Sequence, residues 1–179
     1  MQETITYIIE FLLHGNKHLI PEVGYTNDVN QFHRYRVVII PSHFFDDNVY
    51  GTAQSAPQLP LENIEQTPLL FGKPFLRKEG NTLLIEADII ASSYFLLSRY
   101  EEMLNQTKLR DEHGRFIGKK SLPYLAGFID RPIVDEYGQL LRGWLRQQGC
   151  DVTEPEATYN NIFFTYYVDS IAHFRHLRG

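Results

Sequence analysis

The feature that most constrains the fold of this chain is an alternation of short apolar runs with longer segments of helical periodicity. Residues 35–40 (YRVVII) are apolar and β-branched and are closed by Pro41, which predicts a buried strand. Residues 82–86 (TLLIE) and 162–165 (IFFT) predict two further strands. Because strands and helices alternate without a strict βαβ order, we expect an α/β fold with a mixed sheet flanked by helices, or an α+β fold as the alternative.

Three segments carry the spacing of helices, near residues 4–14, 89–104 and 131–148. The first has one apolar face every three or four residues, formed by Ile5, Ile8, Ile9, Leu12 and Leu13. Capping chemistry predicts where each helix begins and ends. The predicted N-caps are Thr4, Asp88 and Asp130, and the predicted stops of the first and third helices are Gly15 and Gly149.

Residues 41–68 are rich in proline and have little periodicity, so they predict a long irregular excursion. Loops of this length are unusual in a domain unless they bind a ligand or are packed down. Packing is favoured here because the segment carries large apolar side chains, namely Phe44, Phe45, Leu59, Leu61 and Ile64. After it, Glu79-Gly80-Asn81 predicts the turn of a hairpin that leads into strand 82–86.

Charge and cysteine content exclude several classes of function. The 179 residues contain 17 Lys and Arg against 22 Asp and Glu, a net charge of −5, which disfavours nucleic acids and anionic membranes. Cys150 is the only cysteine, so the chain can form neither an internal disulfide nor a cysteine zinc site. The N-terminus lacks a basic signal region and no run reaches 18 apolar residues, so we expect no membrane span and a cytoplasmic location.

Candidate metal ligands lie near the C-terminus. Asp169, His173 and His176 are spaced at i, i+4 and i+7 and would share one face of a helix. An Asp/His/His set with an open position suits hydrolytic zinc. A surface helix explains the same spacing more simply, because such residues often fall at helical intervals by chance.

Two other groups of residues invite a functional interpretation. Glu101 and Glu102 lie near the end of the second predicted helix, where the dipole disfavours anions, so Arg99, Arg110 or Arg115 could be their partners. A solvated pair is the favoured interpretation. The chain is also 13% aromatic, and Tyr35, Tyr50, Phe71 and Tyr124 could line a binding groove.

The segment Thr165-Tyr166-Tyr167-Val168-Asp169 follows a predicted strand and resembles the first motif of the polysaccharide deacetylase superfamily. The resemblance implies a metal-dependent hydrolysis of acetyl groups on carbohydrates. It places Asp169 at the position of a metal ligand and Tyr167 at the position of the general base. A tyrosine with a pKa of about 10 is a poor replacement for a carboxylate base at neutral pH.

Longer blocks resemble an uncharacterised bacterial domain that precedes deacetylase-like domains in larger proteins. These blocks are ADIIASSYFLLSRYEEML, RDEHGRF, KKSLPYLAGFIDRPIVDEYGQLL and VDSIAHFRHLRG. The resemblance implies that residues 1–158 are an accessory domain. It also implies that residues 159–179 are the first strand and motif of a deacetylase-like domain, truncated before the rest of the catalytic barrel.

Three functions therefore remain open. The favoured one is a non-catalytic accessory domain of a carbohydrate deacetylase-like protein, which aids binding or assembly. The others are a small-molecule or protein-binding module and a metal-dependent ester or amide hydrolase. The expected partner is a carbohydrate-active catalytic domain or a second copy joined through residues 160–179. We expect no cofactor in this chain, although a full-length relative could hold a divalent metal such as zinc.

Overall fold

The computed structural model of the chain describes residues 1–105, 108–154 and 164–165. Its helices are α1 (Gln2–Leu13), α2 (Ile89–Leu97), α3 (Tyr100–Leu104), α4 (Leu122–Leu125) and α5 (Ile133–Gln147). Its strands are β1 (Val23–Tyr25), β2 (Val37–Ile39), β3 (Glu62–Ile64), β4 (Thr67–Leu69), β5 (Gly72–Glu79) and β6 (Thr82–Ala87). Short 3₁₀ helices are η1 (Lys17–Glu22), η2 (Val29–Arg34), η3 (Ala53–Ser55) and η4 (Gly118–Lys120).

The main sheet has the order β1-β2-β6-β5 among the described residues. β1, β2 and β6 run parallel, whereas β5 joins β6 as an antiparallel hairpin. β3 and β4 form a separate small hairpin. The predicted class, a mixed sheet with helices packed on it, is therefore confirmed, as are the strands at 35–40 and 82–86 and the hairpin turn at 79–81.

Alternating side chains of the central strands point to the two faces of the sheet. On one face Val37, Ile39 and Ile85 are fully buried in the main core with α1, α2 and α5. On the other face Val38 and Leu84 form a smaller core with Phe32 of η2. The helices therefore cover one side of the sheet, and a single 3₁₀ turn covers much of the other.

α1 and α5 approach each other closely because α5 carries a glycine at the crossing. A Cβ on Gly138 would lie 2.9 Å from the Leu12 carbonyl oxygen, which is well inside van der Waals contact. The buried Arg142 side chain donates to the same carbonyl at 2.7 Å. This bond satisfies one of the carbonyls that the end of α1 leaves without a helical partner.

The chain leaves α5 through a short segment that is tied back to α1. The buried Asn16 side chain donates to the Thr153 carbonyl and accepts from the Thr153 amide, both at 2.9 Å. Next to this pair, Glu154 accepts from Arg142 at 3.0 Å and from Arg146 at 2.7 Å. We call the Asn16–Thr153 pair the exit bracket, because it fixes the position at which the chain departs from the helices.

Several predictions about local structure were wrong. α1 begins at Gln2 with Met1 as its N-cap, and α5 begins at Ile133 after Pro132, so neither Thr4 nor Asp130 is a cap. The predicted helix 89–104 is interrupted because Arg99 adopts a left-handed conformation with φ 53°. The predicted cap at Asp88 is confirmed, since its carboxylate accepts from the Ala91 amide.

The excursion at 41–68 is more ordered than predicted, because it contains η3, β3 and part of β4. Its packing is confirmed for Phe44 and Ile64, which are each 2% exposed, and for the partly buried Phe45 and Leu61. Leu59 differs, since it is 48% exposed.

The predicted strand at 162–165 and the predicted boundary at residue 158 lie largely outside the described residues. Phe164 and Thr165, which are described, have no regular secondary structure, and Phe164 is 79% exposed.

Candidate functional site

The carboxyl ends of the parallel strands β1, β2 and β6 meet at one edge of the main sheet. This edge is where open α/β sheets place their ligands. Three polar residues are brought together there: Tyr25 at the end of β1, Ser42 shortly after β2 and Asp88 directly after β6. The position alone makes this edge the first candidate site.

Asp88 is fully buried at this edge and its carboxylate is saturated with donors. One oxygen accepts from the Ala91 amide at 2.9 Å. The other accepts from the Ser42 amide at 2.8 Å, the Ser42 hydroxyl at 2.7 Å and the Tyr25 hydroxyl at 2.9 Å. Burial raises the pKa of Asp88, and these hydrogen bonds oppose that rise. The carboxylate thus caps α2 and joins the ends of three strands.

An aromatic cluster covers the same edge. Phe44 contacts five other rings at centroid distances of 4.7 to 5.9 Å: Phe45, Tyr50, Phe71, Tyr94 and Tyr100. We call these six residues the aromatic cap. Most of these pairs are edge-on or tilted, which is the arrangement that aromatic quadrupoles favour.

The tyrosine hydroxyls of the aromatic cap are used within the protein. The Tyr50 and Tyr94 oxygens are 2.5 Å apart, and the Tyr100 oxygen accepts from the Gly51 amide and lies 2.9 Å from the Ser55 hydroxyl. Burial and the bond to Tyr94 raise the pKa of Tyr50, and burial followed by the charge of Asp88 raises the pKa of Tyr25. The polar groups at this edge therefore stabilise the fold.

A second candidate site is a groove of about 530 Å³ between α5 and the β3–β4 hairpin. Ligand sites in proteins commonly occupy about 300–1,000 Å³. We call it the amide groove, because three exposed glutamines lie in its lining. The polar residues of its lining are Glu65, Gln66, Thr67, Arg131, Glu136, Gln139 and Gln147.

The floor of the amide groove is fixed by a network around an ion pair. Glu136 accepts from Arg131 Nε at 3.0 Å and from Arg131 Nη2 at 2.5 Å, and it also accepts from the Thr67 hydroxyl at 3.1 Å. Glu65 accepts from the indole N–H of Trp144 at 3.0 Å. Trp144 also lines the groove, but it is only 1% exposed, so little of its ring is available to a ligand.

A third feature is a group of exposed apolar side chains around α4. Leu59 is 48% exposed, and Leu125 and Ile129 are each 59% exposed. One groove of about 520 Å³ includes Leu59 and Leu125, and another of about 350 Å³ includes Ile129. We call Leu59, Leu125, Ile129 and these two grooves the apolar surface.

The four aromatic residues predicted to line a groove lie in different parts of the structure. Tyr50 and Phe71 lie together in the aromatic cap, but Tyr35 packs beside Phe32 on the other face of the sheet and Tyr124 is 46% exposed on α4. The four predicted aromatic residues therefore do not line one groove.

The acidic pair has specific partners. Glu102 pairs with Arg99 and with Arg110, two of the possible partners, so the favoured interpretation of a solvated pair is wrong for Glu102. Glu101 instead accepts from the Leu122 amide at 2.9 Å. Burial raises the pKa of Glu101, although this hydrogen bond opposes the rise. Arg115 pairs with Asp111 and takes no part.

The predicted metal and base residues Asp169, Tyr167, His173 and His176 all lie outside the described residues. Within residues 1–105, 108–154 and 164–165, no group of three or more His, Cys, Asp or Glu side chains could hold a metal ion. The same ranges contain no helix with the length and apolar content needed to cross a bilayer.

The chain thus has a mixed α/β fold whose strand-end edge is closed and whose open features lie beside α4 and α5. A family model described as a family of unknown function, DUF7033, matches residues 1–150. The chain belongs to this family. No curated protein and no solved structure matches it. Membership confirms the resemblance to an uncharacterised domain, and the link to deacetylase-like domains stays a prediction.

Proposed function

We propose that the domain is a non-catalytic accessory module that holds a neighbouring catalytic domain through the apolar surface around α4. The observation that carries the proposal is the exposure of Leu59, Leu125 and Ile129 beside two grooves. A single exposed leucine is ordinary in a protein, but grouped large apolar side chains mark interaction sites.

The lining of the two grooves supports a protein partner. The larger groove is formed mainly by leucine and proline, including Pro60, Leu61 and Pro68. The smaller one adds Leu96 and Phe128 to Ile129. Few hydrogen-bonding side chains line either groove, so a partner that inserts apolar side chains would suit them better than a polar small molecule.

The closed edge of the sheet supports a non-catalytic role. A catalytic acid or base needs access to a substrate proton. Asp88 has no such access, because it is fully buried and four protein donors occupy its oxygens. The aromatic cap lies next to this edge, where the Phe45 ring is 6.3 Å from the Tyr25 ring.

The partner in this proposal is a carbohydrate-active catalytic domain of the polysaccharide deacetylase type. Its support is the resemblance of residues 87–104, 110–116 and 119–141 to a domain that precedes such enzymes. The exit bracket adds a second support, since it holds Thr153 in a fixed position relative to α1 and α5. A fixed exit limits the orientations available to whatever follows in a longer protein.

The test replaces two apolar side chains by charge in the intact 179-residue chain. Sedimentation velocity would compare the chain with the Leu125→Glu/Ile129→Glu variant, each mixed with a separately produced polysaccharide deacetylase catalytic domain. We expect the unmodified chain to form a complex and the variant to bind at least about tenfold more weakly, because burying each side chain contributes about 1.5–3 kcal/mol.

The matched control is Val29→Glu, which introduces one charge at a residue of η2 that is 64% exposed. This variant should bind like the unmodified chain, and melting temperatures should show that all variants fold. The absence of a complex would overturn the proposal, as would a complex that the double variant leaves unchanged. Self-association of the chain alone, lost in the double variant, would assign the apolar surface to a second copy instead.

A further inference from the structure

We infer that the amide groove binds a neutral oligosaccharide. This inference goes beyond the proposed docking role and does not depend on it, because it rests on the polar side chains of the groove; the groove does share Arg131 and Pro132 with the smaller groove of the apolar surface. The starting observation is the backbone conformation of the β3–β4 loop, which its two residues adopt only with strain.

The β3–β4 hairpin closes with a two-residue loop, because Ile64 pairs with Thr67. Both loop residues have left-handed backbones, with φ 47° at Glu65 and φ 72° at Gln66. Loops of this kind strongly prefer Asn-Gly or Asp-Gly, because most L-residues are strained at positive φ. Strain of this kind clusters at functional sites.

Glu65 has a structural reason to occupy the loop, whereas the side chain of Gln66 has none. The Glu65 carboxylate accepts from Trp144, and the Gln66 backbone carbonyl accepts from Arg131 at 3.1 Å. The Gln66 side-chain amide, by contrast, makes no hydrogen bond to any described residue. A glycine would supply the same carbonyl without the strain.

Two further amides of the groove are also available. Gln139 and Gln147 are exposed on α5, and their side chains make no hydrogen bond within residues 1–105 and 108–154. Each primary amide both donates and accepts hydrogen bonds. Three free amides therefore surround a floor that Arg131, Glu136 and Trp144 hold rigid.

The chemistry of the lining selects the class of ligand. Vicinal hydroxyls donate and accept in the same way as amides, so a polyhydroxylated ligand can bond to all three glutamines. Glu65 and Glu136 outnumber Arg131, which disfavours acidic polysaccharides and phosphates.

The experiment uses the intact chain and follows the side-chain NH₂ signals of its glutamines in ¹H–¹⁵N spectra. The probes are cellotetraose, maltotetraose and tetra-N-acetylchitotetraose, with tetragalacturonate as the anionic probe and capped tetra-alanine as the peptide probe. We expect at least one neutral oligosaccharide to shift the signals of Gln66, Gln139 and Gln147, and the anionic and peptide probes to leave them unshifted.

The decisive variant is Gln66→Gly, because it removes the amide and relieves the left-handed strain together. It should melt at the same temperature as the unmodified chain or higher, yet bind the oligosaccharide more weakly. Gln139→Ala/Gln147→Ala should weaken binding by roughly tenfold, as expected for two lost hydrogen bonds. The matched control, Gln58→Ala, alters an exposed glutamine elsewhere and should not change affinity.

Several outcomes would overturn the inference. They are the absence of any shift with the three neutral oligosaccharides, shifts confined to residues outside the groove, and affinity that survives both groove variants. Equal or stronger binding of tetragalacturonate or tetra-alanine would also overturn it, because it would assign the amide groove to a different class of ligand.

Discussion

The aromatic cap and the amide groove each carry several polar side chains, but the protein uses these groups in opposite ways. The hydroxyls of Tyr50, Tyr94 and Tyr100 in the cap, and the carboxylate of Asp88 at the neighbouring sheet edge, are all bonded within the protein. In the groove, the side-chain amides of Gln66, Gln139 and Gln147 make no hydrogen bond to any described residue, whereas Arg131 and Glu136 beneath them are paired. The difference shows that a position at the carboxyl ends of parallel strands is not enough to make a binding site. What matters is which polar groups folding has left unused.

The largest expected effect tests whether the cap is structural. Phe44→Ala should lower the free energy of unfolding by about 3–5 kcal/mol, because it removes a buried ring that contacts five others. Urea denaturation measures this change. The matched control is Phe75→Ala, since Phe75 is 51% exposed on β5 and its loss should cost about 1 kcal/mol or less. Similar losses of unfolding free energy for the two variants would show that the aromatic cap is not a structural element.

An intermediate effect is expected at the Asp88 carboxylate. Asp88→Asn should cost about 2 kcal/mol, because an amide whose oxygen accepts from Ser42 and Tyr25 turns its NH₂ toward the Ala91 amide, which then loses its acceptor. Combining it with Tyr25→Phe should cost less than the sum of the two single losses, since the hydroxyl of Tyr25 donates to a neutral amide instead of a carboxylate once Asp88 is replaced. Equilibrium unfolding of the two single variants and the double variant measures this coupling. Additive losses would show that the bond between Tyr25 and Asp88 carries no stability.

The smallest effect concerns the acid dependence of Glu154. Hydrogen bonds from Arg146 and Arg142 outweigh partial burial and hold the pKa of Glu154 below its ordinary value of 4.5. A lowered folded-state pKa gives stability that is present above pH 4.5 and is lost as the pH falls through the folded value.

Glu154→Gln should therefore reduce stability by at most about 0.5 kcal/mol at pH 7, because the carboxylate is partly exposed and screened by solvent. The difference from the unmodified chain should shrink as the pH falls from 4.5 through the folded pKa of Glu154. Urea denaturation at a series of pH values from 7 downwards measures it, with the exposed Glu62→Gln as control. A deficit that stayed unchanged over the whole series would mean that the charge of Glu154 is not its source.

The sequence predicted the parts of the fold that depend on strong local patterns. The β-branched run at 35–40, the Gly80 turn and the apolar periodicity of α1 and α5 correspond to the observed elements. β1 was missed because it has three residues and contains Gly24, so pairing with β2 creates it more than local preference does. The break at Arg99 was missed because nothing in SRYEE announces a left-handed residue.

The candidate sites were less predictable for a physical reason. The aromatic cap gathers Phe44, Phe71 and Tyr100 from segments far apart in the chain, and such contacts leave no periodic signature. The β3–β4 hairpin was hidden because Glu65-Gln66 is not a turn sequence. The available signal was the presence of Glu-Gln where a two-residue hairpin loop usually has Asn-Gly or Asp-Gly. This signal can be recognised only after β3 and β4 are known.

The exit bracket has a mechanical consequence. Tension applied to the chain beyond Glu154 acts first on the paired bonds between Asn16 and Thr153 and on the two arginine contacts of Glu154. These contacts are loaded together, so the load passes to α1 and α5 at the same time. The two helices that share the load pack closely where Gly138 leaves room for the Leu12 carbonyl.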